Sequence, residues 1–264
     1  MIWLISDIHG CFFTLQELLK KIRSDDSNAQ LVFVGDYVDR GIHSSKVVDL
    51  IIQEQKNGAY CLRGNHDDVI DWILNGSCKS DLTEMLSGEI DLERVGWWWM
   101  ANGLNPTLTS YGLNSSSWVN LEKELKKFNN IVPDAHKEFF RGLDLYWSND
   151  THFACHAYFT PYYEPPSDSV LFERMDVVMN SLWTRFPRKS KGWNPVGIDV
   201  DAIWSKIGVF GHTPVSYYGE VAPIRHGKIR MIDTCAFSGK SLTAYCCDND
   251  DWISQNTDSR DLES

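Results

Sequence analysis

Leu31-Val32-Phe33-Val34-Gly35-Asp36-Tyr37-Val38-Asp39-Arg40-Gly41 decides the fold of this chain. Four apolar residues in a row, stopped by glycine and a carboxylate, read as a short strand buried on both faces. The pattern recurs along the chain. Ile2-Trp3-Leu4-Ile5 leads to Asp7 and His9, and Ala59-Tyr60-Cys61-Leu62 leads to Asn65 and His66. Thr151-His152-Phe153-Ala154-Cys155 leads to His156, and Ile207-Gly208-Val209-Phe210 to His212. In open α/β sheets the chemistry collects beyond the carboxyl ends of strands. Oxygen and nitrogen ligands ending each run predict a site for about two divalent metal ions.

Around these runs, residues 1–75 read as β-α-β-α-β. Leu15, Leu18, Leu19 and Ile22 fall on one helical face, with Thr14 and Glu17 placed to form a capping box at its start. Val47, Val48, Leu50, Ile51 and Ile52 mark a second helix, ended by a turn at Asn57-Gly58, and Val69, Ile70 and Ile73 a third. The alternation predicts a mainly parallel sheet with helices packed on it. Residues 76–145 read as a largely helical insertion or cap, with a Ser/Asn-rich turn at 114–117. Strands resume near 151 and continue at 207–210, 228–233 and 242–247. The stretch from Pro161 to Pro195 is long for a plain connection and is a candidate site rim. The expectation is a single domain over 1–247 and a disordered acidic tail over 248–264.

Composition narrows the classes. The 264 residues are 43% hydrophobic and 23% charged, as in ordinary globular chains. A formal net charge of −11 argues against gripping nucleic acid through its phosphates. Seven cysteines, an odd number with no CxxC pair, predict free thiols of a reducing compartment rather than disulfides. The chain opens on a core strand with no signal-peptide pattern, and no apolar run nears the ~20 residues of a membrane span. A cytoplasmic protein is therefore expected.

Three segments carry the chemistry. Ser6-Asp7-Ile8-His9-Gly10 sets a carboxylate and an imidazole two residues apart in an extended loop, so both can face one ion. Gly35-Asp36-Tyr37-Val38-Asp39-Arg40-Gly41 offers Asp36 as a bridge between two ions. Gly64-Asn65-His66-Asp67 adds a neutral oxygen ligand and a histidine. Taken together with Val209-Phe210-Gly211-His212-Thr213-Pro214 and Leu182-Trp183-Thr184-Arg185, the chain resembles the calcineurin-like metallophosphoesterases. More narrowly, it resembles the phosphoprotein phosphatases in their short bacterial and phage form, over roughly 1–247.

The resemblance implies a four-layer αββα sandwich of two mixed sheets flanked by helices. It implies Asp7, His9 and Asp36 around one metal, and Asp36, Asn65, His156 and His212 around the other. His66, oriented by Asp39, would protonate the leaving alkoxide, and Arg40, Arg185 and Arg63 would grip the phosphoryl oxygens. The implied reaction is hydrolysis of phosphomonoesters, first of all phospho-Ser/Thr proteins and also phospho-Tyr, by metal-activated hydroxide without a phosphoenzyme. Manganese is the expected ion, with iron, zinc or nickel compatible, since mixed O/N ligands select weakly. The alternatives are a diadenosine-tetraphosphate-type hydrolase, a phosphodiesterase or nuclease, and a non-catalytic metal-binding module; the presence of both His66 and Asp39 argues against the last.

Departures from the family pattern are Asp67 where protein phosphatases often carry Glu, Tyr158 where Gly is usual, and Leu104 in place of a second glycine after Asn102-Gly103. Trp97, Trp98 and Trp99 cannot share one helix face, so core packing and an aromatic substrate wall are both open. His43, His136, His152 and His226 carry no motif and read as surface or satisfied core histidines.

Overall fold

The computed structural model describes residues 1–113, 120–159, 170–186 and 203–262. The Ser/Asn-rich turn and most of the proline-bearing stretch lie outside the described residues. Three parallel strands, β1 (Ile2–Ile5), β2 (Gln30–Phe33) and β3 (Tyr60–Cys61), are linked by helices α1 (Phe12–Asp25) and α2 (Ser44–Lys56). Then come α3 (Asn65–Asn75), α4 (Leu82–Leu86), α5 (Leu92–Met100), α6 (Leu104–Ser110), α7 (Leu121–Ile131) and α8 (Asp134–Arg141). The chain continues through β4 (Tyr146–Ser148), β5 (His152–Cys155), α9 (Met175–Trp183), β6 (Ile207–Phe210), β7 (Ile224–His226), β8 (Ile229–Met231), β9 (Ser241–Cys246) and β10 (Asp251–Asn256).

Two mixed five-stranded sheets result, in the orders β10-β9-β1-β2-β3 and β4-β5-β6-β8-β7. The side-chain period of two explains why the sheets stack. Leu4 and Val32 from one sheet meet Ala154 and Val209 from the other in a shared inner core with Trp147 and Tyr245. Their neighbours Trp3, Ile5, Leu31 and Phe33 face the helices of the first sheet. Phe153, Cys155 and Phe210 face the opposite outer layer with Val177 and Trp204. The expected four-layer αββα architecture is therefore present. No helix among the described residues is long and apolar enough to cross a membrane.

Two local expectations are corrected. Residues 248–264 are not a disordered tail over their described part. β10 pairs antiparallel with β9 through six residues, from Asp251 opposite Cys246 to Asn256 opposite Ser241. The polar run concealed this because an edge strand buries little of itself. Thr14 and Glu17 form no capping box, since α1 starts at Phe12, three residues earlier than that box requires. The buried Asp261 carboxylate instead accepts from the amides of Phe13 and Thr14, at 3.0 and 2.7 Å, and Glu17 pairs with Lys20. The orphan donors of the helix start are met from the far end of the chain.

Candidate metal centre

The strand-end turns bend sharply, and the bend aims the ligands. Asp7, His9, Asp36, Asp39, Arg40 and His212 all have positive φ, between 43° and 71°. Such conformations are costly for residues with a Cβ and persist only where the surroundings impose them. Here backbone bonds lock adjacent turns: Asp7 N to Gly35 O, His9 N to Asp36 O, Gly10 N to Tyr37 O and Gly41 N to His9 O. Asp67 supplies a further lock. Its buried carboxylate accepts from Asp36 N at 2.7 Å, Gly64 N at 2.9 Å and Tyr37 N at 3.0 Å. The family's Glu-to-Asp departure thus falls on a residue occupied with backbone.

Two groups of ligand atoms gather around Asp36, each with its atoms within 4.8 Å of one another: His9, Asp36 and His66, and Asp36, His156 and His212. Asp36 Oδ2 lies 3.4 Å from His9 Nε2, and its Oδ1 lies 3.3 Å from His156 Nε2. Asn65 Oδ1 joins the second group, 3.2 Å from His156 Nε2 and 2.9 Å from His212 Nδ1. Asp7 closes the other side, its carboxylate accepting from Ser6 Oγ and from His212 N at 3.0 Å.

The donor set fits divalent ions on its own chemistry. His9 Nδ1 and His156 Nδ1 donate to the carbonyls of Val38 and Val34, each at 2.8 Å, and His212 Nε2 donates to Trp183 O at 3.0 Å. Each bond fixes the ring and turns its other nitrogen toward the cluster. Lone pairs of His212, Asn65 and Asp36 then converge around His156 Nε2, whose proton in the metal-free chain stands where a cation would sit. Burial, helped by the Arg40 guanidinium, holds His9 well below the usual histidine range. Burial and neighbouring His156 do the same to His212. Burial also disfavours charge on His156, but Asp36 outweighs it and pushes that imidazole up to about 9. Burial and Asp233 push the Asp7 carboxyl up. Burial would raise Asp36 too, but His156 and His66 hold it well below the carboxylate range.

Beside this cluster stands His66. Its Nδ1 donates to Asp39 Oδ2 at 2.7 Å, and its Nε2 accepts from Arg40 at 3.0 Å. The other Arg40 terminal nitrogen donates to His9 Nε2 at 2.9 Å, and the guanidinium lies 4.6 Å from the Phe237 ring centre. Asp39 is held by two residues whose part the sequence did not disclose. Trp99 Nε1 donates to it at 2.6 Å and Thr107 Oγ1 at 2.7 Å. Trp99 is the buried member of the tryptophan triplet, Trp97 is exposed, and Trp98 stacks on Trp183 with ring centres 5.7 Å apart. Position in the triplet gave no signal for this division, because only the tertiary fold places His66 against Trp99. Asp233, also buried, is another neighbour that the strand pattern left unassigned.

Arg185 is exposed beside the second group and donates to His212 O at 3.3 Å. Arg63 is a correction. Its guanidinium is wholly buried, bonded to Asp68 and Asp71 at 2.9 Å each and to the carbonyls of Phe140 and Arg141. Both terminal nitrogens are taken up by the α3 carboxylates and the α8 carbonyls, so it ties α3 to α8 and has no free edge for a phosphoryl group. Tyr158 packs edge-on against Phe186 at 5.0 Å, and Leu104 is buried at the start of α6 behind the left-handed Gly103. His136 is a satisfied histidine between Tyr111 and Asp49.

A sandwich of two sheets with carboxylate, amide and imidazole groups gathered at its strand ends is the arrangement of the metallophosphoesterase class. The chain belongs to the calcineurin-like phosphoesterase family, whose family model matches residues 1–228. Among curated relatives it is similar to the asymmetrical bis(5'-nucleosyl)-tetraphosphatase PrpE of Oceanobacillus iheyensis, 43% identical over 72 residues, 24% of this chain and 29% of that one. It is also similar to serine/threonine-protein phosphatase 1 of Salmonella typhimurium, 34% identical over 85 residues, 28% of this chain and 38% of that one. The matched segments therefore span well under half the length of either relative. Among solved structures, a candidate diadenosine tetraphosphatase superposes with a TM-score of 0.59 at 19% identity, covering 98% of this chain and 94% of that one. A Saccharomyces cerevisiae protein serine/threonine phosphatase gives 0.53 at 16% identity, covering 98% and 79%. These two likenesses concern the fold.

Proposed function

We propose that this chain is a phosphomonoesterase that holds two divalent ions and acts first on phosphoserine and phosphothreonine in proteins, with phosphotyrosine also admitted. Asp7, His9 and Asp36 hold one ion, and Asp36, Asn65, His156 and His212 hold the other, with manganese suited to this O/N set. When bound, the ions supply an acidified water and neutralise phosphoryl charge. The observation that carries the reading is His66 fixed between Asp39 and Arg40. When phosphate draws Arg40 away from His66 Nε2, that nitrogen takes up a proton from water and passes it to the departing oxygen while Asp39 holds the ring by Nδ1, a role worth about 10²–10⁴-fold. Arg40 and Arg185 grip the phosphoryl oxygens, their planar forks matching phosphate.

A second reading is hydrolysis of dinucleotide polyphosphates. The partly exposed Trp98–Trp183 stack favours it, since aromatic faces accept a nucleobase, and the relatives with that activity point the same way. A manganese-supplemented panel of phosphopeptides, nucleotides and diadenosine tetraphosphate separates the two by product: inorganic phosphate on the first reading, nucleotides on the second. Asp36→Asn and His66→Ala should each remove most of the turnover. Unchanged phosphate release in both variants would refute the catalytic assignment.

A further inference from the structure

The family match ends at residue 228, yet the turn at 257–262 returns to the wall of the site. Asp261 has no exposed surface. Its carboxylate accepts from Phe13 N at 3.0 Å and from both the amide and the hydroxyl of Thr14 at 2.7 Å. Thr14 Oγ1 in turn accepts from Asp258 N at 2.9 Å. The same turn reaches the residues just beyond Arg40: His43 Nε2 donates to Arg260 O at 2.8 Å, and Ile42 N to Asp261 O at 3.5 Å. A third anchor lies in the segment bearing Phe237, where Thr257 Oγ1 donates to Ala236 O at 2.7 Å and Thr257 N to Lys240 O at 3.0 Å. The Phe237 ring centre is 5.3 Å from that of His9 and 4.6 Å from the Arg40 guanidinium carbon.

We propose that Asp261 is a positioning residue that holds the His9 and Arg40 turns in register, with Asp258 and Thr257 extending the strap to Phe237. The three anchored segments share one property: each adjoins His9 or Arg40. Gly10 and Gly41 meet so closely that a Cβ on Gly41 would lie 2.1 Å from His9 O, so a small shift of either turn moves both side chains. Removing the carboxylate leaves two backbone amides and a hydroxyl without partners, those of Thr14 fully buried, and the turns open to recover them. The effect on phosphate rests on the reading of Arg40 as a phosphoryl grip.

Asp261→Ala and the isosteric Asp261→Asn test this by hydrogen exchange and by steady-state kinetics on p-nitrophenyl phosphate with manganese. In the alanine variant, exchange should quicken by about tenfold or more over 9–14 and 40–45, while strands 152–155 and 207–210 keep wild-type protection. KM should rise by about fivefold or more with kcat nearly kept, and the asparagine variant should lie between. Exchange rising alike across the chain, or nowhere, overturns the proposal. So does a lowered Tm with kcat and KM both unchanged. If alanine prevents folding, the asparagine variant decides by the same two readings. Should the wild-type chain release no phosphate, the Arg40 reading fails, while the exchange comparison still decides the strap.

Discussion

His66 and Asp39 are bonded by geometry that only neighbouring side chains could fix. Asp39 accepts from Trp99 and Thr107 while it holds His66, so its carboxylate cannot rotate away. Asp39→Asn keeps the shape but removes the charge that stabilises a protonated imidazole. The expected outcome is a fall in kcat of about 10²-fold with KM little changed. The fall should be larger for alkyl phosphates than for p-nitrophenyl phosphate, whose leaving group needs no proton; equal losses on both would count against His66 as the acid. Most of the proposed site residues could be named from the chain because each follows an apolar run. Arg63 was misread since motif position alone cannot show where a long side chain points. Asp68 and Asp71, five and eight residues on, draw it into the core.

At the scale of elements, the site is a set of strand-to-helix turns packed against one another. Gly64, before α3, allows the Asp36 turn to approach: a Cβ there would lie 2.2 Å from Asp36 Oδ1 and 2.4 Å from Asp36 N. Gly64→Ala must displace the one carboxylate common to both ligand groups. The expected cost is about 1–3 kcal/mol of stability in a denaturant titration, together with weaker manganese binding by calorimetry; wild-type metal affinity would show that Asp36 does not bridge. The helices α1, α2 and α3 were readable from their 3.6-residue periodicity. Strands β4, β7 and β10 were not, because short edge or half-exposed strands bury too little to write an alternating pattern. The capping of α1 was hidden for another reason: its acceptor, Asp261, lies 247 residues from Thr14 in sequence.

At the scale of the whole molecule, burying this cluster couples folding to pH. In the metal-free chain, His9 and His212 stay neutral in the fold but take up protons once unfolded below the usual histidine range. They therefore add stability above about pH 6.5, which is lost as pH falls below it. His156 acts oppositely. Its stabilisation is complete below about pH 6.5 and is lost as pH rises through about 9. Calorimetric Tm of chelator-treated protein should thus peak near neutrality and fall toward pH 9, and manganese should flatten the alkaline limb by taking the place of the His156 proton. A steady rise in Tm to pH 9 without metal would contradict the assigned environment of His156. Strands β1, β2, β3, β5 and β6, and the candidate ligands that follow them, could be read from the sequence by itself, because a buried apolar run and the chemistry of its final turn are local properties of the chain. Tertiary structure alone decided which residues orient those ligands. Trp99, Thr107, Asp67 and Asp261 act across long sequence separations, and hydrogen bonds of that kind leave no period or spacing to read.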